Sequence, residues 1–330
     1  MHVFRFSVFK YFSLYLLLSY SVSLFAEDIV RAGTVDFIGD ATTHYSHAQN
    51  LFRKNGIEVE LVHHHAGFQI LEKISKGELD IGGVAPTPLI MSILGLNNID
   101  ANFVIVGRIS ESTNVNHLVV ANHTHFSSLK SLQGKRIGIT KGTDSEFFWH
   151  NFTSAYELNE HDFDFVDIPV PEMAAAIKNE SVDAVVSWSP YHVAALEATK
   201  GKGKLYGSNA FYTSNWLLVV RPEFLAQFPE KVVAYMSALN EAENILSEDP
   251  MRVAKAHSIA LGTSAENLIE KYRDVYFELS MSESLILNLS LQARWLKQRH
   301  ALTGNEIDVR AFFNSEPLTK VKPNAVTLLE

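Results

Sequence analysis

Thr140-Lys141-Gly142-Thr143-Asp144-Ser145-Glu146-Phe147-Phe148 is the stretch on which the fold turns. Residues 133–139 before it mix small, basic and branched side chains, as a short strand leaving a turn does. After it, Phe147, Phe148, Phe152 and Ala155 recur at the spacing of a helix face. The order is strand, polar glycine-containing loop, helix. Thr143, Asp144 and Ser145 are all N-cap residue types, and Glu146 stands where a capping box with Thr143 requires it. A helix start carries unpaired N–H groups and a partial positive charge. The loop is therefore either an ordinary capped start or a holder of an anionic or strongly polar group.

The same order recurs on both sides. Residues 29–34 read as a strand, followed by a polar loop over 36–47 that contains Thr42, His44 and Tyr45. A helix beginning near Ala48 stops at Gly56, and residues 57–62 alternate as a second strand. A short helix through Phe68, Ile70, Leu71 and Ile74 closes at Gly77, and a third strand covers 79–84. Ala85-Pro86-Thr87-Pro88 opens another helix, with Pro88 in its first turn and Thr87 as the expected cap. Further strands are expected at 103–106, 117–121, 136–140, 163–168 and 182–186, the last running into Ser187-Trp188-Ser189-Pro190. Such alternation with short loops predicts wound, mostly parallel α/β sheets, whose ligands sit beyond the carboxyl ends of the strands. After a strand at 216–220 the chain reads as helix from Pro229 to about His300, with no complete sheet of its own. It is expected to pack back on the first unit. The prediction is two lobes, residues 27–116 with 214–330 and residues 117–213, joined by crossings near 107–118 and 209–216.

With 330 residues, 47% hydrophobic and 20% charged, the chain has the composition of a soluble globular protein and the length of two domains. Its start differs. Arg5 and Lys10 precede an apolar run over 11–25 that stops at Ala26-Glu27-Asp28, the pattern of a secretory signal peptide, residues 1–26, cleaved after Ala26. The alternative is an uncleaved anchor. Removing residues 1–26 takes away two basic residues and no acidic ones, so the net charge moves from −9 to −11, 26 basic against 37 acidic. So acidic a protein is not a nucleic-acid binder and does not seek anionic lipid. Cysteine is absent, which excludes disulfides, thiol nucleophiles, thiolate metal sites and a lipidated cysteine.

No Gly-x-Ser-x-Gly elbow, phosphate-binding Gly-x-x-x-x-Gly-Lys loop or His-Glu-x-x-His helix occurs, so no catalytic residue, metal or cofactor is expected. His63-His64-His65 would lie on alternate faces of a strand and so would not converge on one ion. Arg108 suits either a two-pronged contact to an anion or a salt bridge. Two helix starts facing each other, at Thr87 and at Thr143-Ser145, would offer donors to one polar end of a ligand, while Trp188 covers its apolar body. Asp144 either faces a ligand amine or only caps its helix.

Four motifs in this order resemble the periplasmic substrate-binding proteins of ABC importers, in the group that binds taurine, alkanesulfonates, nitrate and thiamine-pyrimidine precursors. They are Gly77-Glu78-Leu79-Asp80-Ile81-Gly82, Leu132-Gln133-Gly134-Lys135-Arg136-Ile137-Gly138, Lys141-Gly142-Thr143-Asp144-Ser145, and Val182-Asp183-Ala184 ahead of Trp188-Ser189-Pro190. The resemblance covers nearly all of the chain beyond residue 26. It implies a type II-like, two-lobed periplasmic binding protein, monomeric, closing on a small molecule that it hands to a membrane permease. Carried over by position, the contacts would be Thr42, His44 and Tyr45, then Ala85 and Thr87, then Lys141, Thr143, Asp144 and Ser145, with Trp188 and Tyr212 completing the site. The first expectation for the ligand is a sulfonate, taurine or similar small anion. The second is a flat nitrogen heterocycle stacked on Trp188 or Tyr212. The same fold group includes fungal enzymes that make the thiamine pyrimidine, but their Cys-rich motif has no counterpart here. A ligand-sensing adaptor role is the remaining alternative.

Overall fold

The computed structural model describes residues 29–207 and 212–329. The expected signal peptide lies outside them, as do residues 208–211 of the second crossing. Among the described residues no helix is long and apolar enough to cross a membrane.

Two sheets organise the chain. The first has seven strands in the order β12-β11-β4-β10-β3-β1-β2, and the second has five in the order β7-β6-β8-β5-β9. In the first, β1 (Ile29–Val35), β2 (Glu58–His64) and β3 (Ile81–Val84) form a parallel core. Onto it β10 (Ser214–Val220), β4 (Val104–Ser112) and β11 (Val275–Ser282) add antiparallel ladders, and the short β12 (Val326–Thr327) closes the edge. In the second, β6 (Arg136–Ile139) runs parallel to β7 (Asp164–Asp167) and β8 (Ala184–Trp188), while β5 (Asn116–Val120) pairs antiparallel with β8 and β9 (Lys204–Gly207). The chain passes between sheets from β4 to β5 and from β9 to β10. Strand β3 is buried at all four positions, so it reads as a short apolar run and not as an alternation.

The carboxyl-terminal third returns to the first sheet, as expected, but not as helix alone. Helices α9 (Pro229–Glu248), α10 (Pro250–Leu261), α11 (Ala265–Tyr272) and α12 (Glu283–Arg299) are interrupted by β11. Phe277, Leu279 and Met281 alternate there and are buried against β4. Their register is long-range, so local periodicity between two helices does not reveal it.

A second correction concerns residues 36–47. The expected polar loop is a 3-10 turn, Ile38–Asp40, leading directly into α1 (Ala41–Ala48). All of 38–46 is buried. Ser46 donates to the Ala238 carbonyl of α9 at 3.1 Å, and His44 stacks on His257 of α10 with ring centroids 4.9 Å apart. The returning helices cover α1, which turns a polar sequence into an interior one.

The Asp80 of the Gly77–Gly82 motif ties this half together. Its carboxylate accepts from the Arg31 backbone N–H and Nε, both at 3.0 Å, from Arg31 Nη2 at 2.7 Å, and from Arg221 Nη2 at 2.8 Å. Its own N–H and carbonyl bond to Arg31 and Arg221 at 2.9 Å. The motif therefore joins β1, β3 and the end of β10.

Candidate functional site

Helix α4 (Pro86–Ile93) starts directly after β3, and α5 (Asp144–Ala155) starts after β6 through Gly142, whose φ of +73° is the left-handed turn that glycine permits. Each start lies at the carboxyl end of a central strand, and each comes from a different sheet. Between them is a cleft. Four aromatic side chains line it: Phe37 after β1, Phe68 on α3 (Gly67–Ser75), Trp188 at the end of β8 and Trp216 on β10. Asn116, Thr143, Asp144 and Ser214 supply the polar lining, and among the described residues no Lys or Arg lines it.

Neither helix start is capped as the sequence suggests. Thr143 turns its hydroxyl back onto the Thr140 carbonyl at 2.7 Å, and Glu146 accepts from the Gly142 N–H at 2.7 Å. No capping box forms, and the N–H groups of Thr143, Asp144 and Ser145 find no acceptor among the described residues. At α4 the N-cap is Ala85 with Pro86 in the first turn, so Thr87 lies inside the helix. Its N–H and Oγ1 donate to Asp144 Oδ1 at 3.1 and 2.7 Å. Tyr212 and Ser214 hydroxyls donate to Asp144 Oδ2, the latter at 3.3 Å. Asp144 thus faces the cleft and bridges it, its carboxylate occupying the α4 start that was expected to receive a ligand. Burial raises its pKa above the usual carboxylate range although the hydroxyls of Tyr212, Thr87 and Ser214 pull the other way. Burial and the neighbouring Asp144 push the Tyr212 phenol well above its ordinary value.

The sequence-predicted residues divide into three sets. Ala85, Thr143, Asp144 and Trp188 line the cleft. Thr87, Ser145 and Tyr212 stand one layer behind, Ser145 through a 3.0 Å bond to Asn116. Thr42, His44, Tyr45 and Lys141 do not reach it. The first three are interior residues of α1, with His44 Nε2 at 3.1 Å from Thr34 Oγ1 and 3.0 Å from the Val35 carbonyl. Lys141 is exposed, its N–H donating to Asp167 at 3.0 Å. Arg108 is taken up by Glu111 and by Glu278 at 3.6 Å. His63 pairs with Asp36 at 3.5 Å, and among the described residues no cluster of His, Cys, Asp and Glu suits a metal ion.

Phe37, Phe68, Asn116, Ser214 and Trp216 are lining residues that sequence reasoning missed as individuals. Phe37 lay inside the polar loop expected over 36–47, and Trp216 opens the strand expected after the second crossing, the one signal available for it. Trp216 packs on Gly83, where an added Cβ would fall 2.3 Å from the indole nitrogen. Gly83→Ala must therefore displace a rigid ring from the cleft wall. We expect a stability loss of about 2 kcal/mol and weakened cleft binding, read by denaturant unfolding and ligand titration.

Two wound sheets, two crossings and helix starts that meet across a cleft are the periplasmic-binding-protein fold. The chain belongs to the NMT1/THI5-like family, whose model matches residues 41–253. Among curated relatives, a Bacillus subtilis protein described as binding aliphatic sulfonates is 26% identical over 196 residues, covering 59% of this chain and 57% of that protein. The chain thus spans less than two thirds of that relative's length. Among solved structures, the alkanesulfonate-binding protein SsuA of Xanthomonas axonopodis, bound to MOPS, superposes with a TM-score of 0.73 at 20% identity, over 87% of this chain and 98% of that one. The desulfurization enzyme DSZB shares the fold at a TM-score of 0.62 and 13% identity, over 90% and 99%.

Proposed function

We propose that this protein is a periplasmic solute-binding protein, without catalytic activity, that captures a small organic anion of the sulfonate class and delivers it to an ABC permease. The observation that carries the reading is the start of α5: unpaired N–H groups at the edge of an aromatic cleft between two lobes. The anionic head sits on those N–H groups, and the apolar body lies against Phe68, Trp188 and Trp216. Residues 27–116 with 214–330 form one lobe and residues 117–213 the other, and the ligand favours closure because both must contact it. Export through residues 1–26 and action as a monomer belong to the same reading. The names of the relatives support the sulfonate class. A second reading, a flat nitrogen heterocycle, is favoured by the four aromatic walls and the lack of a basic side chain in the lining.

The test is a thermal-unfolding screen of the exported protein against ethanesulfonate, taurine, nitrate and an aminopyrimidine. A sulfonate at a hundredfold excess over its Kd should raise the midpoint by about 5 °C, and Trp188→Ala should weaken binding about tenfold. A rise with the pyrimidine alone would transfer the assignment to the second reading. No rise with any compound would overturn the solute-binding assignment, and recovery of a chemically altered ligand would favour an enzyme of the DSZB kind.

A further inference from the structure

Behind the aromatic cleft, on the side of the crossings, lies a second cavity of about 520 Å³. Val115 lines both spaces, so the two are neighbours divided by that side chain. The second is polar where the first is aromatic. His117 on β5, with Ser189 and His192 around the start of α7 (Tyr191–Ala198), faces Lys271 in the last turn of α11 and Asp274 from the α11–β11 connection, and Asn114 comes from the crossing itself. Both sheets' halves of the molecule therefore contribute.

None of its basic groups has a carboxylate at ion-pair distance among the described residues. The Lys271 ammonium makes one long hydrogen bond, 3.4 Å to Ser189 Oγ, and no carboxylate among the described residues is within ion-pair distance of it. His192 is 5% exposed and its Nδ1 has no hydrogen-bond partner. Its ring stacks on His117 at 4.1 Å between centroids, and His117 uses Nδ1 on the Val115 carbonyl at 3.1 Å, which leaves Nε2 as the free nitrogen. The acid of the cavity, Asp274, is exposed and accepts the Asn114 amide at 2.9 Å. A buried imidazole nitrogen without a well-placed partner, and an ammonium held by one long hydrogen bond, leave donors beside an open polar space for an acceptor.

We propose that this cavity is a second ligand site, for a small oxyanion, bound by Lys271, His192 and His117 so that it ties the two lobes together on the side of the crossings. Lys271 supplies a charge already present, and each imidazole donates fully only once protonated. Burial, with Lys271 adding to it against the Val115 carbonyl and Asp274, holds His117 below the usual histidine range. Burial, with His117 and Lys271 adding to it against the Trp188 carbonyl, holds His192 well below that range. Asp274 and, from α7, Glu197 act in the opposite sense on Lys271, whose burial lowers its pKa. At alkaline pH the ammonium and Asp274 cancel. As pH falls the histidines add positive charge, and an anion bound there raises their pKa in turn. Anion affinity must therefore grow towards acid.

The experiment is a titration of the exported protein with sodium sulfate and with inorganic phosphate at fixed ionic strength. It is followed by the imidazole NMR resonances of His117 and His192, at about pH 5.5 and about pH 8. A saturable shift of both rings is expected, with affinity about tenfold tighter at the lower pH. Lys271→Met should weaken binding about tenfold and Lys271→Arg should retain it, each checked by near-UV circular dichroism for an intact fold. Phe68→Ala, which alters only the aromatic cleft, should leave the titration unchanged. Rings that do not respond at either pH would overturn the site. A response that survives Lys271→Met would mean an adventitious ion only, and one lost in Phe68→Ala would return the signal to the cleft. The outcome is independent of the cleft screen, which can fail while this titration succeeds.

Discussion

Asp144→Ala is expected to cost about 3 kcal/mol and to leave the lobes less often closed, because it strands the Thr87 N–H and the Tyr212 hydroxyl in a buried place, while the Thr87 hydroxyl keeps Gln292 Oε1 at 3.1 Å. Unpaired buried groups cost about 1–3 kcal/mol each, and water entering an opened cleft recovers part of that. Denaturant unfolding with an unchanged slope reads the loss, and a larger radius in small-angle scattering reads the opening. Asp144→Asn keeps an acceptor for Thr87 and should lose far less. It should also remove a pH dependence. Burial raises the native pKa of Asp144, so the native state holds a proton that the unfolded chain releases near pH 4. The stability contributed is complete below that pH and is lost as pH rises through the native value. Wild type minus Asp144→Asn should therefore fall with rising pH across this window. A flat difference would show that Asp144 is ionised in the native protein like any surface carboxylate.

Asp80→Ala should be at least as damaging, about 3–5 kcal/mol, and its pH signature should have the opposite sign. The substitution leaves the Arg31 and Arg221 guanidiniums side by side without their shared acid and removes the pin between β1, β3 and β10. Arg31 is the more exposed of the two and recovers some hydration, which places the cost at the lower end of the range. Burial alone would push the Asp80 pKa up, but the hydrogen bonds and charges of Arg31 and Arg221 outweigh it and hold it below the usual carboxylate range. Its contribution is present above the unfolded value and lost as pH falls through the native one. Acid unfolding should therefore begin at higher pH in a variant lacking Asp144, which keeps the Asp80 dependence and loses the opposing one of Asp144. Unfolding curves for Asp80→Ala that overlay the wild type at neutral pH would refute the pin.

Much of the fold was legible because it rests on short-range patterns. The strand-to-helix junctions at Ala85 and Thr143 were marked by Pro86, Gly142 and the apolar spacing that follows, and both stand at the carboxyl ends of their strands. The β11 strand was not legible, since its pairing with β4 spans more than 160 residues and competes locally with helices on both sides. Trp188 and Ala85, which line the cleft, stand at such strand-to-helix junctions. Thr42, His44 and Tyr45 fall outside the cleft lining for the converse reason: polar residues in a row read as a loop until α9 and α10 arrive to bury them.

The sequence by itself determined two wound α/β units, a carboxyl-terminal segment belonging to the first, and helix starts at 85–88 and 143–145. Each follows from periodicity, glycine and proline, which act over a few residues. Only the tertiary structure decided that Asp144 spans the gap to Thr87, that Trp216 and Phe37 wall the cleft, and that His117, His192 and Lys271 meet behind it. Those contacts join residues from separate sheets, so they depend on how the two lobes come together, and no local rule encodes that.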